Sequence, residues 1–328
     1  MSDNRRIKKI GVEEHYSGGD SNPGMYMRSP YTIDELRRRT VDVSEMRLAV
    51  MDECGVVMQV LSSPNSYIHR IQDVAEATNV AKKSNDALAE TVAKHPTRFA
   101  GFASLAIQDP ALAADELERC VTQLGFKGAL ISVNLVGDNL DHDRYRILWE
   151  RSEALNAPLY IHPSGKTDVN SDCLEIQGSA WNWGVEVGTT ALRVIFSGIF
   201  DRCPKATLII GHLGEMIPYA LWRLENKWNQ TFTGVNADAD LPYKRRTEFS
   251  PTYYIKRNLM ITTSGHFSED ALICAVNSFG ADRIMFSADY PNERIEDAAE
   301  FIEKARISEE DRNKICYENA QNLFGFDV

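Results

Sequence analysis

Eight short apolar runs, each separated from the next by a longer stretch with helical spacing, constrain this chain more than any other feature. They are IKKIGVEE, VVMQVLSS, FAGFASLA, GALISV, PLYIHP, ATLIIGH, NLMITTSG and RIMFSADYP. Between them lie helical patterns such as SEMRLAVMDEC, DPALAADELERCVTQLG and SEDALICAVNSFG, which begin near Ser, Asp or Pro and end near Gly or Asn. Strands that alternate with helices pair in parallel, because each helical crossover returns the chain to the same end of the sheet. Eight such units in 328 residues predict an α/β protein of the (β/α)8 barrel type, a TIM barrel, as one domain over residues 1–328. Extra C-terminal helices are expected from ERIEDAAEFIEKARISEEDRNKICYENAQNLFG. A doubly wound open sheet is the structural alternative. No G-x-G-x-x-G follows a strand and no G-x-x-x-x-G-K-[ST] occurs, so phosphate cradles are not expected.

Three connections exceed what a barrel needs: Ser17 to Val43, Ser164 to Asn182 and Asn229 to Arg257. The first two directly follow strands and so are long βα loops over the catalytic face. The third follows a helix, where its KRR cluster reads as a solvated or intersubunit patch.

A net charge of −11 argues against nucleic acid and against an anionic membrane as partners. No uncharged apolar run approaches the roughly 20 residues of a membrane span. The six scattered cysteines contain no C-x-x-C, and MSDNRRIKKI lacks the apolar centre of a signal peptide. A cytoplasmic protein is expected.

In a parallel barrel every strand's C-terminal end opens on one face, and four of the eight ends here carry possible metal ligands. These are Glu13, Glu14 and His15 in GVEEHY, His162 in YIHP, His212 in GHLGE and Asp289 in FSADYP. Side chains at i and i+2 share a face, so Glu13 and His15 project together and Glu14 is expected to face the helix layer. With His162 and Asp289 they make a mixed nitrogen and oxygen set suited to one divalent ion, Mn2+ or Zn2+, per subunit. Taken singly, each has a plainer reading, as a hydrogen-bonded core histidine or, for Asp289, a helix cap. His212 reads as a further ligand or, preferably, as an acid/base or orienting group. Glu215 either hydrogen-bonds His212 or is a first-turn glutamate favoured by a helix dipole. His266 is a weaker candidate; His69, His95 and His142 follow no convergent strand end. Lys127 precedes its strand, on the wrong face to bridge two metals as a carboxylated lysine.

The motifs EEH, LYIHP, IIGHLGE followed by LWR, TTSG and FSADYP resemble the amidohydrolase superfamily, and within it the non-oxidative aromatic-acid decarboxylases. The similarity runs from about Lys9 to Phe324. It implies an amidohydrolase-type barrel, a metal held by Glu13, His15, His162 and Asp289 with His212 beside it, and a homodimer or homotetramer. It also points to Arg47 and Arg223 as substrate contacts, where a planar guanidinium matches a carboxylate; each is otherwise an ordinary helix residue. Tyr290, with Trp181 and Trp183, reads as aromatic lining or as core packing. The loop SGGDSNPGMYMRSPYTID, the segment SGKTDVNSDCLEIQGSAWNW and Asn292 depart from the relatives.

The expected activity is loss of CO2 from a hydroxybenzoate-type acid, γ-resorcylate-like and reversible, without an organic cofactor. Catalysis would fall to Asp289, His212 and Glu215. Hydrolysis of a lactone or amide by the same ligand set is the alternative. A non-catalytic binding protein would lack ligands, and all four are present.

Overall fold

The computed structural model describes residues 6–18, 28–63, 65–133, 139–164, 173–230 and 246–328. Parts of the two long βα loops (19–27 and 165–172), and Lys244 and Arg245 of the KRR cluster, lie outside these residues.

Among the described residues, nine strand segments follow the chain in parallel order. β1 (Lys9–His15), β2 (Val56–Ser62) and β3 (Phe99–Gly101) pair in sequence. β4 (Ala103–Ser104), β5 (Ala129–Ser132), β6 (Leu159–His162), β7 (Leu208–Ile210), β8 (Leu259–Thr262) and β9 (Ile284–Met285) form a second ladder in that order. β3 and β4 are one strand, FAGFASLA, interrupted at Phe102, whose amide still reaches Leu61 O at 2.9 Å. The two outer edges meet where Asp289 N donates to Glu13 O (3.1 Å) and His15 N donates to Tyr290 O (2.6 Å). Eight strands thus close on themselves into a parallel (β/α)8 barrel.

The last strand is shorter than RIMFSADYP predicts, because side chains replace its ladder. Ser287 Oγ accepts from Glu13 N (2.7 Å), and Thr263 Oγ1 takes Ser287 N (2.9 Å) on the other side. Two of the long connections contain helices, Ile33–Val41 and Pro251–Asn258. The first is capped by Thr32 and carries acids in its first turn and arginines in its last, as the helix dipole favours. The helix expected near Val187 begins earlier, at Asn182, and the one expected from Gly214 begins only at Ile217.

Alternation divides the core. Ile10, Val12, Met58, Val60, Phe102, Leu130, Tyr160, Ile209, Met260 and Met285 fill the lumen, and Phe324, at the end of the last helix, and Phe326, just beyond it, close it. Lys127, just before β5, sits 5.2 Å over the Phe326 ring, so this plug lies at the strands' N-terminal ends. The opposite end is left for polar residues. No helix among the described residues is long and apolar enough to cross a membrane.

Candidate metal centre and active site

β1 presents its ligands by means of a bulge. Gly11 pairs with Gln59 but Glu14 pairs with Leu61, so β1 spends one residue more than β2 over that stretch. Ile10 and Val12 point into the lumen. Strict alternation from them would have sent Glu14 inward; the extra residue turns Glu13 and His15 inward instead. Glu14 folds back over Gly11, where any Cβ would meet its carboxyl. There it accepts from Ser287 Oγ (2.9 Å), Ala288 N (2.9 Å) and Tyr290 N (3.0 Å). Burial pushes its pKa up to about 7, against those hydrogen bonds and the Arg47 charge.

Glu13, His15 and His162 each offer one donor atom, all within 4.8 Å of one another. The Glu13 carboxylate is oriented through one oxygen, Oε2, which accepts from the hydroxyls of Tyr160 and Ser264 and, at 3.5 Å, of Thr262. His162 Nδ1 faces the Pro163 carbonyl at 2.9 Å. A carbonyl only accepts, so Nδ1 holds the proton and the lone pair sits on Nε2. Burial, then the neighbouring His15, lowers the His162 pKa to about 4, which keeps this ring neutral. His15 Nδ1 lies 3.3 Å from Ser62 Oγ. Its buried Nε2 is 3.0 Å from Asp289 Oδ1 but meets no partner with hydrogen-bond geometry. A neutral imidazole, an orphaned imidazole nitrogen and an oriented carboxylate fit a divalent ion: each ligand is anchored from behind and open in front.

Asp289 closes the cluster. It adopts φ 72°, and His212, Leu213 and Glu215 also have positive φ (53°, 53° and 55°), so left-handed backbone gathers at this end of the barrel. Asp289 Oδ2 lies 3.8 Å from His212 Nε2, and His212 Nδ1 lies 3.1 Å from Glu215 Oε1. Burial opposes charge on both partners. Glu215 and Asp289 nonetheless hold His212 well above the usual histidine range, while His15 and His212 hold Asp289 well below the usual carboxylate range. Glu215 precedes the helix that begins at Ile217, so it touches His212 and is not a first-turn residue. Gly265, at φ +60°, comes so close that a Cβ would stand 2.9 Å from His212 Cδ2.

Other expected site residues are placed differently. Arg47 is fully buried, and its guanidinium donates to His15 O (2.6 Å), Asp42 O (3.0 Å) and Gln59 Oε1 (3.3 Å). Its fork is spent in the wall and is not open to a carboxylate. Tyr290 is likewise fully buried, its ring 4.6 Å from the Arg47 guanidinium, and packs as core. Arg223 is exposed on the helix Ile217–Asn229. Trp181 is 52% exposed and Trp183 half-buried. His266 is exposed, and His69 is a core histidine bonded to Leu105 O at 2.9 Å. Sequence reasoning missed Tyr160, Thr262 and Ser264 around Glu13. Their signal is alternation, since TTS places Thr262 and Ser264 on one face.

A family model described as amidohydrolase matches residues 36–326. A γ-resorcylate decarboxylase of Polaromonas sp. is 41% identical over 96% of this chain and 98% of its own length. A crystal structure of a dihydroxybenzoic acid decarboxylase from Polaromonas sp., with bound manganese and the inhibitor 2-nitroresorcinol, superposes with a TM-score of 0.88 at 39% identity, covering 97% of both chains. A 2,6-dihydroxybenzoate decarboxylase complexed with 2,6-dihydroxybenzoate gives 0.86 at 34% identity, over 98% of this chain and 100% of that one. The chain belongs to the amidohydrolase family and, within it, to the group of aromatic-acid decarboxylases that includes the γ-resorcylate decarboxylases.

Proposed function

We propose that this chain is a metal-dependent decarboxylase of a hydroxybenzoate-type aromatic acid, γ-resorcylate-like and reversible. The observation that carries the reading is the convergence of Glu13, His15 and His162, with Asp289 beside them, in a chain so similar to γ-resorcylate decarboxylases. Glu13, His15, His162 and Asp289 would hold one divalent ion per subunit, Mn2+ or Zn2+, with manganese favoured by the Polaromonas structure. When bound, the ion supplies positive charge against the oxygens of the acid and its neighbouring phenol. No organic cofactor is needed. The active form is a homodimer or homotetramer of a single catalytic domain, residues 1–328, in the cytoplasm.

The chemistry left to the protein is delivery of one proton. His212, held protonated by Glu215, passes its proton to Asp289 Oδ2, which protonates the ring carbon bearing the carboxylate. The C–C bond then breaks, its electron pair returns to the ring, and CO2 leaves as aromaticity is restored. This order resolves an electrostatic conflict: a carboxyl held as low as Asp289 cannot store a proton, so the store is the imidazole behind it.

The test is a panel of 2,6-, 2,3- and 2,4-dihydroxybenzoate, salicylate and 5-carboxyvanillate on manganese- and zinc-loaded protein, following substrate loss and CO2 release. Turnover of one acid is the expected result. No turnover by protein shown to hold one metal per subunit would overturn the proposal and turn attention to lactone and amide hydrolysis.

A further inference from the structure

Asp289 has two oxygens, and they face different groups. Oδ1 is 3.0 Å from His15 Nε2, on the side of the donor set; Oδ2 is 3.8 Å from His212 Nε2, on the side of the proton store. Among the described residues, one side chain outside that machinery donates a hydrogen bond to the carboxylate. Asn292 Nδ2 donates to Asp289 Oδ1 at 3.0 Å. A carboxylate only accepts, so the amide nitrogen must be the end that faces it. The placement is built into a turn, because Asn292 N and Glu293 N both donate to Asp289 O, at 2.8 and 3.2 Å. The turn brings the amide under the carboxylate while Asp289 itself holds left-handed backbone.

We propose that Asn292 is a positioning residue that fixes the plane of the Asp289 carboxylate, committing Oδ1 to the donor set and leaving Oδ2 free to face His212. Free rotation about Cβ–Cγ would interchange or tilt the oxygens and carry the acidic proton out of line with the ring carbon. A fixed plane keeps the two duties on separate atoms. The inference rests on the proposed decarboxylation for its kinetic arm, but its structural arm does not.

The variants Asn292→Leu, which removes the donor, and Asn292→Asp, which keeps the shape and replaces the donor with an acceptor, would be compared with wild type, all loaded with manganese. Four quantities decide: kcat, KM, manganese affinity, and the Asp289 carboxylate orientation in crystals. A fifth is exchange of the product's ring hydrogen with D2O, which uses the same proton transfer without CO2. We expect kcat and exchange to fall together by about 10- to 100-fold, with KM and manganese affinity within about three-fold and the carboxylate plane visibly turned. Unchanged kcat with an unchanged carboxylate would overturn the proposal. So would a loss of manganese affinity matching the loss of kcat, which would make Asn292 a metal-retention residue. If the wild type turns over no acid, decarboxylation fails, and the crystallographic comparison still decides: an Asp289 plane identical in wild type and both variants refutes the positioning role.

Discussion

Glu14 shows that a residue facing away from the ligands is not a neutral position. Its carboxyl accepts backbone donors on both oxygens, Ala288 N on Oε1 and Tyr290 N on Oε2, and these flank Asp289 on either side. Glu14→Gln keeps the shape but replaces one acceptor with an NH2 group. Whichever way the amide turns, one buried N–H faces another donor, at a cost of about 1–3 kcal/mol. The charge works the other way. A carboxyl raised from 4.5 to about 7 in the fold contributes stability that is fully present below its unfolded value and is lost as pH rises through about 7, amounting to about 3 kcal/mol. The attraction of Arg47 is already contained in that balance. Glutamine never ionises, so the variant escapes the alkaline loss. Glu14→Gln should therefore be less stable than wild type by about 2 kcal/mol near pH 5, and the deficit should close or reverse by about pH 8.5. Urea midpoints at several pH values, with metal content held fixed and an unchanged m-value, measure it. Taking the difference between the proteins cancels titrations remote from the site. A deficit that stays constant or grows towards alkaline pH would refute the reasoning, because it would mean that Glu14 is ionised throughout and the donors outweigh burial.

Three further outcomes are expected. Glu13→Gln should lose metal and turnover together, with manganese affinity down by about 10- to 100-fold or more, since the neighbouring hydroxyls have nothing charged to orient; titration calorimetry checks this. Gly265→Ala should cut kcat by about ten-fold or more, because a Cβ 2.9 Å from His212 Cδ2 displaces the ring and the φ of +60° disfavours alanine. Circular dichroism should show the barrel intact. Glu215→Gln removes the charge that raises the His212 pKa, so the alkaline limb of the kcat profile should move to lower pH, whereas an unmoved limb would remove His212 as the proton store.

The strands and their C-terminal polar residues were readable because apolar runs and strand polarity alone decide them: GVEEHY, YIHP and FSADYP announce a shared face. The orientation of Glu13 and Glu14 was reached by counting from Glu13; counting from Val12 gives the opposite answer, and only the bulge reconciles the two. Arg47 was expected as a substrate contact from the family resemblance; a guanidinium's free hydrogen bonds cannot be counted in one dimension, and its donors are spent on carbonyls of the wall. The close approach of Gly265 to His212 joins residues that are distant in sequence, so neither motif predicts the other.

The junction between the first and last strands has a mechanical consequence. At every other seam backbone ladders or amides hold the barrel; here a serine hydroxyl, the amides of Asp289 and His15, and the Glu14 carboxylate, which takes Ala288 N and Tyr290 N, do so. The proposed ion would join Glu13 and His15 on one side of this seam to Asp289 on the other, as a rivet across a joint that side chains do much to hold. Chelation would then be felt first as local breathing: the Asp289 and His15 amides should exchange with deuterium sooner, while those of β5 and β6 keep their protection.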